Sequence, residues 1–314
     1  MRHATLRQMQ VFEAVARHLS FSKAAQELNL TQPAVSLQIK QLEGLARLPL
    51  FEQMGRRLYL TGAAEVLLGH VHAILGAVAD SEEAMAALRG QRVGGLRIGG
   101  VSTAKYFAPF LLSAFAGGYP GVEVNLTVAN RQRVVELLDE NAIDLALMGQ
   151  PPADRRFRAS RFAGHPLVII ASPTHPLARR RVPPKALDGE AFLVREQGSG
   201  TRAAMERLLA EHSVVPGRMI EMSSNETIKQ AVMAGMGVSF LSQHTVGLEV
   251  SVRRLEILQV EGTPVLRDWN VVHREGKRLL PVAEAFVCFL TEQGARVLDD
   301  ATRIQLPRRR RGNK

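Results

Sequence analysis

The stretch FSKAAQELNLTQPAVSLQIKQLE, residues 21–43, constrains the fold more than any other. Ala24, Ala25 and Leu28 recur at helical spacing, and Asn29 breaks the pattern. Thr31 is placed to cap the next helix. Pro33 falls in that helix's first turn, where a missing N–H is harmless. Val35, Ile39, Leu42 and Ala46 then form an inward stripe at steps of three and four. A preceding helix is expected from about Leu6 to Leu19, burying Met9, Phe12, Ala16 and Leu19, with Ser20 or Ser22 capping the second. Three short helices joined by such tight breaks make a helix-turn-helix unit.

On the helical wheel Pro33, Ser36, Leu37 and Lys40 face away from the stripe, flanked by Gln32. Their chemistry suits a DNA major groove. Gln32 can pair with an adenine edge, Ser36 can reach a base or a phosphate, Leu37 can touch a thymine methyl, and Lys40 can neutralise a phosphate. PLFEQMGRRLYLT, residues 49–61, reads as a hairpin around Gly55, with Arg56 and Arg57 at its tip. Such a wing would reach phosphates or the minor groove. A three-helix domain with a merely solvated polar face would share the helical pattern. The wing arginines favour DNA. This domain is expected over residues 1–61.

Thr61 can cap a long helix over 62–88. Leu60, Ala64, Leu67, Val71, Ile74, Val78, Ser81, Met85 and Leu88 alternate steps of four and three, a coiled-coil seam. Its partner is expected to be the same helix of a second subunit, giving a homodimer. The alternative is packing on the chain's own domains. GQRVGG, residues 90–95, reads as a hinge.

From Gly95 strands and helices alternate: LRIGGV, then a helix from Ser102–Thr103 to Gly117–Gly118, VEVNLTVA, RQRVVELLDEN and IDLALMG. A second set follows with HPLVIIAS, AFLVRE, a helix opened by GSGTR, GRMIEMS, NETIKQAVMAGMG and VSFLS. Strands near Leu255–Val260 and Asp268–His273 and a helix over about 281–293 complete the domain. Parallel sheets in two α/β lobes are expected over 96–300, with lobe I at about 96–165 and 267–300 and lobe II at about 166–266. Ligands in such folds bind at strand C-termini and helix N-termini. Four helix starts fit: Ser102 and Thr103, Asn130 and Arg131, Ser199 to Arg202 including Thr201, and Ser223 to Asn225. Lys105, Arg131, Arg195 and Arg202 add positive charge, which suits an anion. Each polar residue also reads as an ordinary helix cap.

The formal charge is +10, but residues 301–314 alone hold six basic residues and no acidic one. That basic tail is expected to be disordered and dominates the pI, so the charge by itself says little about DNA. No apolar run of spanning length is expected, and MRHATLRQMQ has no signal-peptide core. The lone Cys288 allows no intramolecular disulfide and is expected as a buried small hydrophobe. A cytoplasmic chain is therefore expected. No phosphate-loop, nucleophile-elbow or metal-ligand spacing occurs, so no enzyme and no metal are expected. His165 and His175, each before proline, read as residues at strand or loop ends.

A winged helix-turn-helix carrying these motifs, a linker helix and a two-lobed, periplasmic-binding-protein-like α/β domain resemble the LysR-type transcriptional regulators, over about 2–298. Within that family VSTAKYFAP, REQGSGTRAAMER and SNETIKQAVMAGMGVSFLSQHTVGLE are similar to regulators of Calvin-cycle (RuBisCO) operons. The resemblance implies a dimer of dimers (a homotetramer) on promoter DNA, contact with RNA polymerase, and no tightly bound cofactor. It implies a small anionic effector: ribulose 1,5-bisphosphate, phosphoenolpyruvate, NADPH or ATP. Carried over by position, the groove residues are Thr31, Gln32, Pro33 and Ser36 and the wing residue is Arg56. The effector residues are Ser102, Thr103, Asn130, Thr201 and Arg202. Two departures stand out. Ala46–Arg47 replaces a common leucine–glycine pair, so either Arg47 bears a steric cost or the turn differs. Gln53 replaces a common wing arginine. Three alternatives are a regulator of another metabolic operon answering a different organic acid, a two-lobed solute receptor, and an enzyme on the same frame.

Overall fold

The computed structural model describes residues 1–55, 57–88 and 95–302. Arg56, most of the expected hinge and the tail beyond Thr302 lie outside the described residues. The chain divides into two compact units, one of residues 1–91 with the short segment 139–142, the other of the remainder.

In the first unit α1 (Leu6–His18) opens with a capping box between Thr5 and Gln8. It is followed by α2 (Phe21–Glu27), capped by Ser20, and α3 (Gln32–Ala46), capped by Thr31. The buried residues of α1 are Gln8, Val11, Phe12, Ala14, Val15 and Ala16, so Phe12 and Ala16 of the expected stripe are buried within a broader face. Leu19 ends α1 in a left-handed turn and is exposed, and Met9 is half-buried. Val35, Ile39 and Leu42 are buried as expected, whereas Ala46 is half-buried.

Strands β1 (Phe51–Met54) and β2 (Arg57–Leu60) pair antiparallel, Met54 opposite Arg57, around a two-residue turn that begins with Gly55 at φ +62°. The Glu43 carboxylate of α3 accepts the backbone N–H of Leu50 at 2.8 Å and of Phe51 at 3.4 Å, fastening the wing. Gln53 donates to the Gly55 carbonyl at 3.2 Å and so braces the turn. Arg47 sits in left-handed geometry at φ 56°, ψ 28°. Of the two expected outcomes the arginine therefore bears the steric cost, and the turn is conserved in form.

The 27-residue α4 (Gly62–Leu88) matches its expected span, but its seam is divided. Ala64 and Val71 are buried, with Leu67 and Leu75 packed beside them, in the core of the winged domain itself. Val66, Ile74 and Met85 are exposed. The expected Leu60-to-Leu88 seam thus faces its own domain at its start, while its members Ile74 and Met85 lie exposed farther along. With apolar residues on two faces, Gly62–Glu82 is long and apolar enough to cross a membrane by length and composition, at a mean hydropathy of 1.5. That corrects the expectation that no such run exists; the two-faced packing is its physical reason.

The second unit contains β3 (Gly95–Val101), α5 (Ala108–Ala116), β4 (Glu123–Ala129), α6 (Arg131–Asp139), β5 (Leu145–Met148), β6 (Phe157–Ala171), β7 (Arg181–Val182), β8 (Ala191–Val194), α7 (Gly200–Glu211), β9 (Arg218–Glu221), α8 (Asn225–Met233), β10 (Val238–Ser242), α9 (Gly247–Ser251), β11 (Glu256–Ile257), β12 (Gln259–Val260), β13 (Val265–Arg274), α10 (Pro281–Phe289) and α11 (Ala295–Thr302). The main sheet runs β4-β3-β5-β13-β6-β10-β8-β9, with β11 on β6. β3 is parallel to β4 and β5, and β8 to β9 and β10, as expected. Between these two parallel sets lies an antiparallel pair. β13 runs along β6 from Val265 opposite Leu167 to Arg274 opposite Phe157, with an irregularity at Trp269–Asn270. At Leu167 strand β6 takes a second partner, Ser242 of β10, which marks the passage from one lobe to the other.

Three details depart from expectation. The helix expected at Ser102–Thr103 starts as a 3-10 turn over Ala104–Tyr106 and becomes α5 only at Ala108. The last helix does not stop near Gln293; a π turn at Leu290–Gly294 carries it on to Thr302. A side chain at Gly294 would stand 3.0 Å from the Phe162 ring, so glycine permits that approach. Cys288 is exposed, its thiol 3.2 Å from Glu292, rather than buried.

Lobe I is tied by Asp144. Its carboxylate accepts from the Arg97 guanidinium at 2.6 and 3.1 Å, from the Arg97 backbone N–H at 3.0 Å and from Lys277 Nζ at 2.8 Å. Burial alone would raise the Asp144 pKa, but Arg97 and Lys277 outweigh it and hold it below the ordinary range. Asp144→Asn is expected to cost about 3 kcal/mol at neutral pH. Because the folded pKa is depressed, that stabilisation is present above the unfolded value and fades as pH falls below about 4. Urea unfolding at a series of pH values checks both, and the variant's deficit should shrink in acid. Arg47→Gly is expected to stabilise the winged domain by about 1 kcal/mol by relieving the left-handed backbone, read as a higher urea midpoint for the helical transition.

Candidate functional sites: a groove-reading face and a charged cavity

In the first unit the outward flank of α3 has the expected composition. Gln32, Pro33 and Lys40 are exposed, Leu37 is 56% exposed, and Ser36 is half-buried. Gln32 Nε2 lies 3.5 Å from Ser36 Oγ, one turn apart, so both present polar atoms to the same surface. Thr31 accepts from the backbone N–H of Ala34 at 3.4 Å, so its hydroxyl serves the helix cap. Arg57 is exposed at the first position of β2. Among the described residues no carboxylate pairs with Lys40 or Arg57, which leaves both cations for an outside anion. Arg56 cannot be placed, since it lies outside the described residues.

In the second unit a narrow cavity of about 40 Å³ opens where the two lobes meet. Ser102 and Thr103 after β3, Asn130 and Arg131 at the start of α6, and Ser199, Gly200 and Thr201 at the start of α7 all line it, as does Arg195. The alternation of strand and helix accounts for this: each βα junction delivers a helix N-terminus to the same edge of the sheet. Three of the four helix starts read from the sequence thus border the cavity.

The side-chain roles are less uniform. Asn130 Oδ1 accepts from the backbone N–H of Arg133 at 2.8 Å, an ordinary cap. Ser102 donates to the Ala129 carbonyl at 3.2 Å. Arg131 donates from Nε to the Gln150 carbonyl at 2.9 Å. The N-terminus of α7, by contrast, has no side-chain cap, so its leading N–H groups face the cavity edge with the Ser199 and Thr201 hydroxyls.

The fourth expected helix start, Ser223 to Asn225, is absent from the cavity wall, as are Lys105 and Arg202. Lys105 reaches toward Glu226 at 4.0 Å. Arg202 binds Glu206 at 2.8 Å, Glu221 and the Arg195 carbonyl, and borders a neighbouring hollow of about 200 Å³. Asn225 is buried and accepts from Arg195 Nη1 at 2.7 Å. It acts through Arg195, whose other donors are held by Glu196 at 2.7 Å. Sequence position alone could not separate these residues from the wall, because a helix start serves ligand, cap and ion pair alike.

The floor lies outside the residues expected from the sequence. It is made by His165 and Leu167 of β6 and by Arg267 and Trp269 of β13, with Gln150 and Glu196 beside it. His165 is not a strand-end loop residue; it lies within β6 and is 6% exposed. Its ring stacks on Trp269 at 4.0 Å between centroids. A side chain at Gly149 would collide with its Nδ1, so glycine there makes room for the imidazole. Burial pushes His165 down to about 3 and His244 down to about 4, so both are neutral near pH 7. Trp269 Nε1 donates to His244 Nδ1 at 3.1 Å. One signal was present in the sequence: His165 shares the parity of Leu167 and Ile169 in an apolar strand. The cavity is lined by three arginines and one glutamate, an excess of positive charge.

Comparison with known proteins agrees with both halves. Residues 6–65 match the model of the bacterial regulatory helix-turn-helix protein, lysR family, and residues 89–295 match the LysR substrate binding domain. The chain is 64% identical to the HTH-type transcriptional regulator CbbR of Rhodospirillum rubrum, covering 92% of this chain and 97% of that protein. It is 46% identical to the RuBisCO operon transcriptional regulator of Allochromatium vinosum, covering 94% and 98%. Among solved structures, the regulatory domain of CcmR from Synechocystis PCC6803, in complex with 2-PG, is 41% identical with a TM-score of 0.61, covering 63% of this chain and 96% of that one. A winged helix-turn-helix and a two-lobed α/β domain, each matched to its own model in one chain, place this protein in the LysR family of DNA-binding transcriptional regulators.

Proposed function

We propose that this regulator controls carbon-fixation genes in answer to a small phosphorylated metabolite held in the cavity of its second unit. The relatives named for CbbR and the RuBisCO operon support the operon. The observation that carries the ligand class is the cavity itself, with Arg131, Arg195 and Arg267 against Glu196 and an uncapped α7 N-terminus. The relative solved with 2-PG supports the same class. Ribulose 1,5-bisphosphate and phosphoenolpyruvate fit that chemistry, and NADPH carries phosphates as well. A cavity of about 40 Å³ holds about three waters, less than a sugar bisphosphate needs. A metabolite therefore enters only as the lobes part or as the neighbouring hollow joins the cavity. Arg131, Gln150, Ser199 and Gly200 border both spaces.

On DNA, Gln32, Ser36 and Leu37 read base edges while Lys40 and the wing arginines bind phosphates. Dimerisation through α4 uses Ile74 and Met85, seam positions its own domain leaves open. A homodimer, and a tetramer built from two, presents recognition helices to a site of pseudo-twofold symmetry.

Gel-shift titration on a carbon-fixation promoter, with and without ribulose 1,5-bisphosphate and phosphoenolpyruvate, tests the reading. A sequence-specific complex altered by one of them is expected. A specific complex indifferent to phosphorylated metabolites sinks the effector class, and no specific complex at moderate salt sinks the groove assignment. Gln32→Ala or Ser36→Ala should each cost about 1–3 kcal/mol of specific binding while leaving the unfolding transition in place.

A further inference from the structure

The effector cavity has a floor that is chemically unlike its walls. The walls offer hydroxyls, helix N–H groups and two arginines already engaged: Arg195 with Glu196 and Asn225, Arg131 with backbone carbonyls. The floor offers two polar groups that are far less committed. His165 is 94% buried by its 6% exposure, yet neither ring nitrogen has a hydrogen-bond partner. Arg267 Nη1 makes a long contact, 3.4 Å, with Gln150 Oε1, and no carboxylate pairs with its guanidinium among the described residues. The two residues are direct partners across the antiparallel pair, Arg267 opposite His165. Their side chains therefore leave the sheet on one face, side by side, and both line the cavity.

A buried imidazole with no partner at either nitrogen is costly unless something completes it. Hydrocarbon would pack on the Trp269 stack equally well, so packing alone gives no reason for a histidine. A ligand oxygen supplies the reason. We infer that the effector's anionic group seats on the cavity floor against His165 and Arg267, and that His165 is protonated as the anion binds. This rests on the effector reading proposed above and specifies it: the floor pair recognises a phosphoryl dianion, and the α7 N-terminus with Arg131 takes the remainder of the molecule.

The groups facing His165 settle the direction of the pH dependence. His244 stacks at 6.3 Å from the turn after β10 and is itself neutral, and Arg267 faces it from β13. Arg131, Arg195 and Glu196 border the same cavity from α6 and the segment after β8, with Glu196 held by Arg195. With the cavity empty, no anion is left over to hold a proton on His165, and burial keeps it neutral. A bound dianion reverses this balance. Affinity then falls as pH rises through the range where the free imidazole and its bound form differ in charge. The limit is about tenfold per pH unit for one proton taken up.

Calorimetry on the full-length protein tests this with phosphoenolpyruvate and ribulose 1,5-bisphosphate as probes. Titrations run between about pH 6.5 and 8.5, in paired buffers of different ionisation enthalpy. Expected is net uptake of up to one proton per site, absent in His165→Gln, with at least tenfold weaker binding in that variant and in Arg267→Gln. Should His165→Gln fail to fold, the parent protein's paired buffers still report the proton and Arg267→Gln still reports the pair. Binding by the parent with no buffer dependence, unaltered by Arg267→Gln, overturns the inference and leaves the effector reading intact. No heat with either probe overturns the phosphorylated-effector reading and this assignment with it.

Discussion

The second unit depends on one antiparallel ladder. β6 and β13 are the strands that belong to both lobes, and their register from Leu167–Val265 to Phe157–Arg274 decides what reaches the cavity. Strand side chains alternate, so a slip of β13 by one residue would turn Arg267 and Trp269 to the face opposite His165 and take them out of the cavity. The irregularity at Trp269–Asn270 re-aims the strand just where its indole must meet His165 and His244. The parallel strands on either side then bring helix N-termini to the same edge. The walls are a generic product of βα alternation, and the floor is particular to this ladder.

The local elements were legible in the sequence where one period dominated. α2, α3 and α4 were bounded almost to the residue, because Ser20, Thr31 and Thr61 mark their starts and the apolar steps are regular. The first half of β6 was not. RFRASRFAG mixes arginines with phenylalanines and small residues without a clean period of two, and its pairing with β13 makes it a strand. That omission hid His165, since a histidine before proline reads as a strand end unless the strand is known to extend upstream. The α4 seam divides for a related reason. Periodicity identifies an apolar face but not what covers it, and the winged domain claims the face through Ala64 and Val71.

The helix starts show a different limit. Ser102, Thr103, Asn130, Arg131 and Thr201 all line the cavity. Lys105, Arg202 and Asn225, chosen by the same rule, went to Glu226, to Glu206 and Glu221, and to Arg195. Proximity to a helix N-terminus is a local property. Whether a cation remains available for a ligand depends on carboxylates distant in sequence, which no spacing rule contains.

Thr61 joins two parts of the first unit through a single oxygen. Its hydroxyl donates to the Pro49 carbonyl at the base of the wing at 2.8 Å and accepts from the Ala64 N–H in the first turn of α4 at 3.2 Å. The wing and the long helix consequently share a hinge pin rather than a flexible joint. A helix of 27 residues extends about 40 Å, so a twist applied far along it arrives at the wing as a change of pitch instead of dissipating in a loop. On the proposed pairing of two chains through α4, the angle between their wings follows from how the two long helices are wound together.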